Sequence, residues 1–235
     1  MPMVLSLILV FGQATPGPDI KQLEEASNKG DAPLVEEILT AHPGWAEARS
    51  ETGVSFLLNA LYRGKAEVVQ AYVKRRKAFD LFEASALGRV GDLRSMLEKD
   101  PASVNSTSAD GFFPLGLAAF FAHSDAVKYL LERGADVNQY AKSPHVQALH
   151  AAAAGRCLEC VRALLEKGAD PNAPQDAGFR ALHEAASSND RAMAELLIKK
   201  GATPDVKEDK GRTGADLARE RGHLEMAAWL ESLSR

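Results

Sequence analysis

The stretch 147–170, QALHAAAAGRCLECVRALLEKGAD, decides how the whole chain is read. Cys157 and Cys160 form a C-x-x-C, a spacing that in other settings marks a redox dithiol or half a metal site. The residues around them read equally as one unit of a repeating scaffold, with two small thiols filling space. The first reading gives a candidate enzyme and the second a binding surface.

Repetition separates the two. ERGADVN at 132–138 recurs as EKGADPN at 166–172 and more weakly as KKGATPD at 199–205, with Gly134, Gly168 and Gly201 spaced 34 and 33 apart. Leu130-Leu131, Leu164-Leu165 and Leu197-Ile198 precede these glycines, and PLGLAA, ALHAAA and ALHEAA lie further upstream with Leu115, Leu149 and Leu182 in the same register. One frame then runs through Leu23, Leu57, Leu81, Leu115, Leu149, Leu182 and Ala215, with a single short step of 24 after YVKRRKA. That step predicts a connection lacking the usual extended turn. The units are 19–50, 51–78, 79–109, 110–143, 144–176 and 177–210, with a truncated closing unit at 211–235. Periods of this length belong to stacked supersecondary units.

Each unit holds two short apolar-periodic segments parted by a glycine or asparagine, such as Gly64, Gly88, Asn189 or Gly222. That is the pattern of a helix–turn–helix pair, with the small residue supplying a left-handed helix end. Alanine-rich first segments allow close approach, leucine-rich second segments supply bulk, and neither buries its face alone, so the units must stack. FPLGLAA, QALHAAA, RALHEAA, RGHLEM and the GADVN endings resemble the ankyrin-repeat family over residues 19–235, most specifically beyond residue 110. The resemblance implies an all-α ankyrin-repeat solenoid with short β-hairpin-like turns. Departures are Gly116 where that family has histidine, and Phe113, Gln147 and Arg180 where it has threonine, which would loosen the hydrogen-bonded turns. His150 and His183 become turn-bracing residues.

In that frame Cys157 opens a second helix and Cys160 falls at a core position. A cysteine at a helix N-terminus can be reactive. Residues i and i+3 of a regular helix, however, hold their Cβ atoms about 5–6 Å apart, whereas a cystine needs about 3.5–4.5 Å. Two structural thiols are therefore expected, and a redox pair at Cys157 and Cys160 stands as the alternative. No phosphate-binding or nucleophile-elbow motif is present, and no histidine pair has metal-ligand spacing. No catalytic residue, metal or cofactor is expected.

A net charge of −4 supplies no electrostatic footprint for nucleic acid. The dense basic run KRRK, at 74–77, reads as a solvated helix end. Residues 1–18, MPMVLSLILVFGQATPGP, resemble a secretory signal peptide without the usual basic start, and the apolar run is too short to span a bilayer. Export follows if that leader is a signal peptide, and a cytoplasmic location otherwise.

The resemblance places a protein partner on the concave face, at turn tips and first-helix ends, with the chain a monomer and a self-assembling scaffold as a further alternative. The turn tips are Val54, Phe112, Val146, Phe179 and Arg212. The helix ends are Tyr62, Arg63, Phe120, Phe121, Ser187, Ser188, Glu220 and Arg221. Aromatic residues and arginines of this kind make interface hot spots, and Phe112, Phe120, Phe121 and Phe179 are expected to form one patch.

Overall fold

The computed structural model describes residues 19–142 and 145–233, so the apolar leader lies outside the described residues. The helical periodicity resolves into paired helices: α1 (Ile20–Lys29) with α2 (Ala32–Ala41), α3 (Phe56–Tyr62) with α4 (Ala66–Arg75), and α5 (Leu81–Ala86) with α6 (Val90–Lys99). There follow α7 (Pro114–Phe120) with α8 (Ser124–Glu132), α9 (Ala148–Ala154) with α10 (Leu158–Glu166), α11 (Ala181–Ser187) with α12 (Arg191–Lys199), and α13 (Gly214–Glu220) with α14 (Leu224–Leu233). The unit at 211–235, read as truncated, holds both of its helices. Among the described residues β pairing is confined to one bridge, Arg49 with Ser55. First helices pack on first helices along the stack, and second helices largely do the same. The architecture is an all-α solenoid.

Within a unit one left-handed residue separates the helices: Gly64, Gly88, Asn189 and Gly222, but also Ala122 (φ 61°) and Arg156 (φ 55°). Between units the chain makes hairpin-like turns. Ser50 N donates to Val54 O (2.8 Å), Ser108 N to Phe112 O (2.8 Å), Gln175 N to Phe179 O (2.7 Å) and Glu208 N to Arg212 O (3.0 Å). Gly53, Gly111, Gly178 and Gly211 sit at positive φ in these turns, where a side chain would strain the backbone.

Asparagines that close three of the unit endings, PASVN, GADVN and GADPN, stitch one unit to the next. Asn105, Asn138 and Asn172 donate to the carbonyls of Gly134, Gly168 and Gly201 at 3.3, 3.5 and 2.8 Å. The same side chains accept from the amides of Asp136, Asp170 and Thr203 at 2.8, 3.4 and 2.8 Å. These bonds satisfy backbone groups that no helix or sheet serves.

The core is divided. One cluster holds Leu23, Val35, Ile38, Leu57 and Tyr72 of the first two units, a larger one runs from Ala84 to Leu230, and a small third, Val54, Leu58, Ala86 and Leu117, reaches across between them. Phe79 packs against the first two. The division falls at the short step, where only residues 76–80 join α4 to α5. Here the sequence reading of KRRK is corrected. Lys74 and Lys77 are exposed and Arg75 half-buried, but the Arg76 side chain is 1% exposed, bonded to the fully buried Glu83 and to Glu47 at 2.7 Å. Burial works against the guanidinium charge, and the two carboxylates outweigh it and keep Arg76 protonated. A connection without a turn brings α5 close enough to cover a charge that sequence position alone leaves at a helix end.

Candidate functional site

At the third position of α9 and α11 stand His150 and His183. Each Nδ1 accepts a backbone N–H, from Gln147 (3.1 Å) and Arg180 (3.0 Å), so Nε2 carries the proton and donates to Ala173 O (2.8 Å) and Val206 O (3.1 Å) in the following turn. The turn-bracing role read from sequence is what the geometry shows. The missing threonines, however, do not loosen these two turns. Gln147 Nε2 donates to Asn138 O at 2.8 Å and Arg180 Nε to Asn172 O at 3.0 Å, replacing the hydroxyl with longer side chains.

Helix α7 differs. Gly116 occupies the histidine place, and Phe113, 1% exposed, turns its ring over it: a Cβ at 116 would lie 3.0 Å from that ring. The two departures from the repeat are therefore one matched substitution. In front of this pair lies a partly enclosed cavity of about 270 Å³. Tyr62, Phe112, Phe120 and Val146 wall it, Leu117, Ala151 and Ala154 line it along α7 and α9, and no charged side chain contributes.

Of the residues picked out in the sequence, Tyr62, Phe112, Phe120 and Phe121 come together. Ring centroids lie 5.8 Å apart for Tyr62–Phe112, 6.1 Å for Tyr62–Phe121 and 5.1 Å, edge to face, for Phe120–Phe121. Phe120 is 44% exposed. Burial, then the charges of Asp110 and Asp80, push the Tyr62 phenol well above the usual range, so it stays neutral.

Other sequence picks fall elsewhere. Val54 closes its turn, but its side chain is buried beneath the patch with Leu58, Ala86 and Leu117 rather than presented at a tip. Phe179 leans on His183, centroids 5.4 Å apart, and takes no part in the cavity lining. Arg212 is engaged by Glu208 (3.1 Å) and Glu220 (2.9 Å), and the Ser188 hydroxyl by Ala185 O (3.4 Å). Ser187 is half-buried, while Arg63 and Arg221 are exposed. Phe82, Leu117, Ala151, Ala154 and Gln175 join the patch or the cavity without having been singled out. Gly116 was the available signal, since a glycine where its repeat partners carry imidazole marks vacated volume.

The cysteines overturn the expectation of two separate thiols. Cys157 and Cys160 are joined by a disulfide, with Cα atoms 5.2 Å apart. The i, i+3 spacing of a regular helix does not apply, because Cys157 is the N-cap of α10 with non-helical backbone (φ −94°, ψ 87°), and its Sγ accepts Cys160 N–H at 3.1 Å. No free cysteine remains among the described residues, and the pair stands in its oxidised form. The closed loop is short, so chain entropy assigns the bond only about 2 kcal/mol. Reduction should accordingly lower the melting temperature by roughly 4–8 °C. Loss of the folded transition on adding reductant would contradict this.

The histidines give the stability a pH dependence. Burial, chiefly, holds His150 and His183 below the ordinary imidazole value, and His123 likewise. A base depressed in the folded state contributes its stability fully above the unfolded value, about 6.5, and loses it as pH falls through the folded one. Unfolding free energy should therefore decline below pH 6.5, by up to about 1.4 kcal/mol per pH unit for each histidine. Burial alone would raise Glu208, but bonds from Arg212 hold it at about 2, so its share persists to lower pH. Urea midpoints at pH 7.5 and 5.5 test the sign; an unchanged or higher midpoint at pH 5.5 contradicts it.

Among the described residues no group of three His, Cys, Asp or Glu is placed to hold a metal, and no helix is long and apolar enough to cross a membrane. Comparison with known proteins accounts for the rest of the pattern. The family described as Ankyrin repeats (3 copies) matches residues 23–141, 81–175 and 149–232. Similar proteins include alpha-latrocrustotoxin-Lt1a of Latrodectus tredecimguttatus, 38% identical over 82 residues, covering 35% of this chain and 6% of the toxin. Ankyrin repeat and SAM domain-containing protein 6 of Mus musculus is 29% identical over 127 residues, 51% of this chain and 14% of that protein. The transient receptor potential channel pyrexia of Drosophila melanogaster is 33% identical over 88 residues, 37% and 9% of the respective chains. The chain thus spans a small fraction of the relatives it matches, and what it shares with them is the repeat. Ankyrin repeats generally serve as protein–protein interaction modules. The stacked helix pairs, the braced turns and the matched residues 23–232 make this chain a member of the ankyrin-repeat family.

Proposed function

We propose that the chain is a non-catalytic module that binds a protein partner, as a monomer and without a cofactor, through the concave face around Tyr62, Phe112, Phe120 and Phe121. The observation that carries this reading is the partly enclosed cavity of about 270 Å³, walled by aromatic side chains and lined by no charged residue. Apolar area left facing water on a folded domain is costly, and contiguous patches of it mark interaction sites. Phe120 is the residue to change, since its exposure means that the core does not depend on it. In a capture experiment with the full chain, Phe120→Glu should weaken retention of the partner about tenfold or more. Lys128→Glu, on the exposed side of α8, should leave retention unchanged. Equal retention by wild type and Phe120→Glu would remove the concave face from the binding site.

A further inference from the structure

Resting on that reading, we infer that the cavity between α7 and α9 is a socket for one uncharged aromatic side chain of the partner, tryptophan fitting it best. Size sets the first limit. An engineered apolar cavity of about 150 Å³ holds a benzene molecule, so about 270 Å³ suits one bicyclic ring. Sites for drug-sized free ligands run upward from roughly 300 Å³ and use several convergent polar groups to fix orientation. Here the polar lining is Gln147, His150, Gln175 and the Tyr62 hydroxyl; both ring nitrogens of His150 are already committed to Gln147 N and Ala173 O, while Gln147 Oε1 and the Tyr62 hydroxyl are buried without a hydrogen-bond partner. Two uncharged polar atoms orient a free molecule weakly. A side chain delivered by a docked partner arrives already oriented and needs only a matching shape.

Charge and wall chemistry narrow the occupant further. Not one lining residue carries a charge, so a lysine or arginine head would lose its water without gaining a partner. Four of the walls are aromatic, Tyr62, Phe112, Phe113 and Phe120, and aromatic pairs in edge-to-face or offset contact gain beyond the area they bury. Tyr62 remains a neutral phenol, so no charge develops at the wall. The rear wall is a local exchange: Gly116 replaces the imidazole present in the next two units, and Phe113 folds back over it.

N-acetyl-tryptophanamide serves as the probe, with N-acetyl-lysinamide as its charged counterpart, both titrated into the full chain with methyl NMR on Leu117 and Val146. Saturable shifts at these methyls with the tryptophan probe only, and competition by that probe with partner capture, are the expected results. Ala154→Leu fills the cavity from an exposed helix position, so it leaves the core intact, which helicity confirms. It should weaken both the probe and the partner about tenfold or more. No saturable shift, equal response to the lysine probe, or undiminished binding by Ala154→Leu overturns the socket. Failure of the probe together with loss of the partner in Phe120→Glu overturns the socket alone and leaves the concave face in place. Partner capture that is indifferent to both Phe120→Glu and the probe overturns the concave face and the socket together.

Discussion

Gly155→Ala should destabilise the protein by about 3 kcal/mol, at the upper end of what overpacking costs. A Cβ at 155 would meet Phe120 O at 2.2 Å, Phe120 C at 2.9 Å and Ala119 O at 3.0 Å. All three obstacles are backbone atoms at the end of α7, so no side chain can swing aside; α7 and α9 must separate. Conformation cannot be the objection, because Gly155 has ordinary helical angles (φ −74°, ψ −2°), and the left-handed residue of this turn is Arg156. The cap residues of α3, α5, α7, α11 and α13 are Arg63, Leu87, Phe121, Ser188 and Arg221, all with side chains; α1 ends instead directly on a left-handed glycine, Gly30. The melting temperature should drop by roughly 6–12 °C. Phe120 walls the cavity, so the same change should also weaken partner binding. A urea midpoint equal to that of the wild type would show that the helices part without cost.

The second large effect belongs to the seam between the two larger core clusters. Glu83→Ala leaves the Arg76 charge, whose side chain is 1% exposed, with Glu47 as its one remaining carboxylate, so the cost falls at the lower end of what breaking a buried pair from one side takes, about 3 kcal/mol. Glu83 also accepts Asp80 N–H at 3.0 Å while Asp80 accepts Glu83 N–H at 2.8 Å, so the start of α5 loses its reciprocal cap as well. Joint replacement, Arg76→Met with Glu83→Leu, should recover most of the loss, because removing both charges also removes the need to solvate either. In a solenoid each unit is supported by its neighbours alone. Damage here should therefore uncouple residues 19–75 from the rest and split the unfolding curve in two. A single unchanged transition in Glu83→Ala would show that Phe79, the Arg49–Asp80 pair at 2.7 Å and the cluster of Val54, Leu58, Ala86 and Leu117 hold the seam without it.

The repeat, the helix pairs, the bracing histidines and the missing turn before α5 were all legible in the sequence. Each follows from local periodicity or from a residue type with one dominant conformational use: Leu115, Leu149 and Leu182 keep register, Gly64 and Gly222 end helices, and His150 sits where an imidazole can reach the next turn. Phe112, Phe120 and Phe121 were legible as candidates because they fall at the turn tip and first-helix end of one unit. Tyr62, two units earlier at the place equivalent to Phe120, reads as a helix end but not as part of their patch, and Phe179, which reads as part of it, lies apart.

Tertiary structure decided what depends on distances between units. Val54 and Phe112 hold the same place in their turns, yet Val54 lies under the patch while Phe112 walls the cavity, because the short connection before α5 draws the third unit close. Arg76 was one basic residue among four until α5 covered it. Cys157 and Cys160 could pair because the N-cap is not helical, a matter of one ψ angle that no spacing rule carries. Gly116 and Phe113 read as two separate lapses from the pattern, and only packing shows a ring occupying the space that an absent imidazole left. Periodicity fixes which face of a helix is buried, but the volume between two helices is set by both at once, and a cavity is a property of that volume.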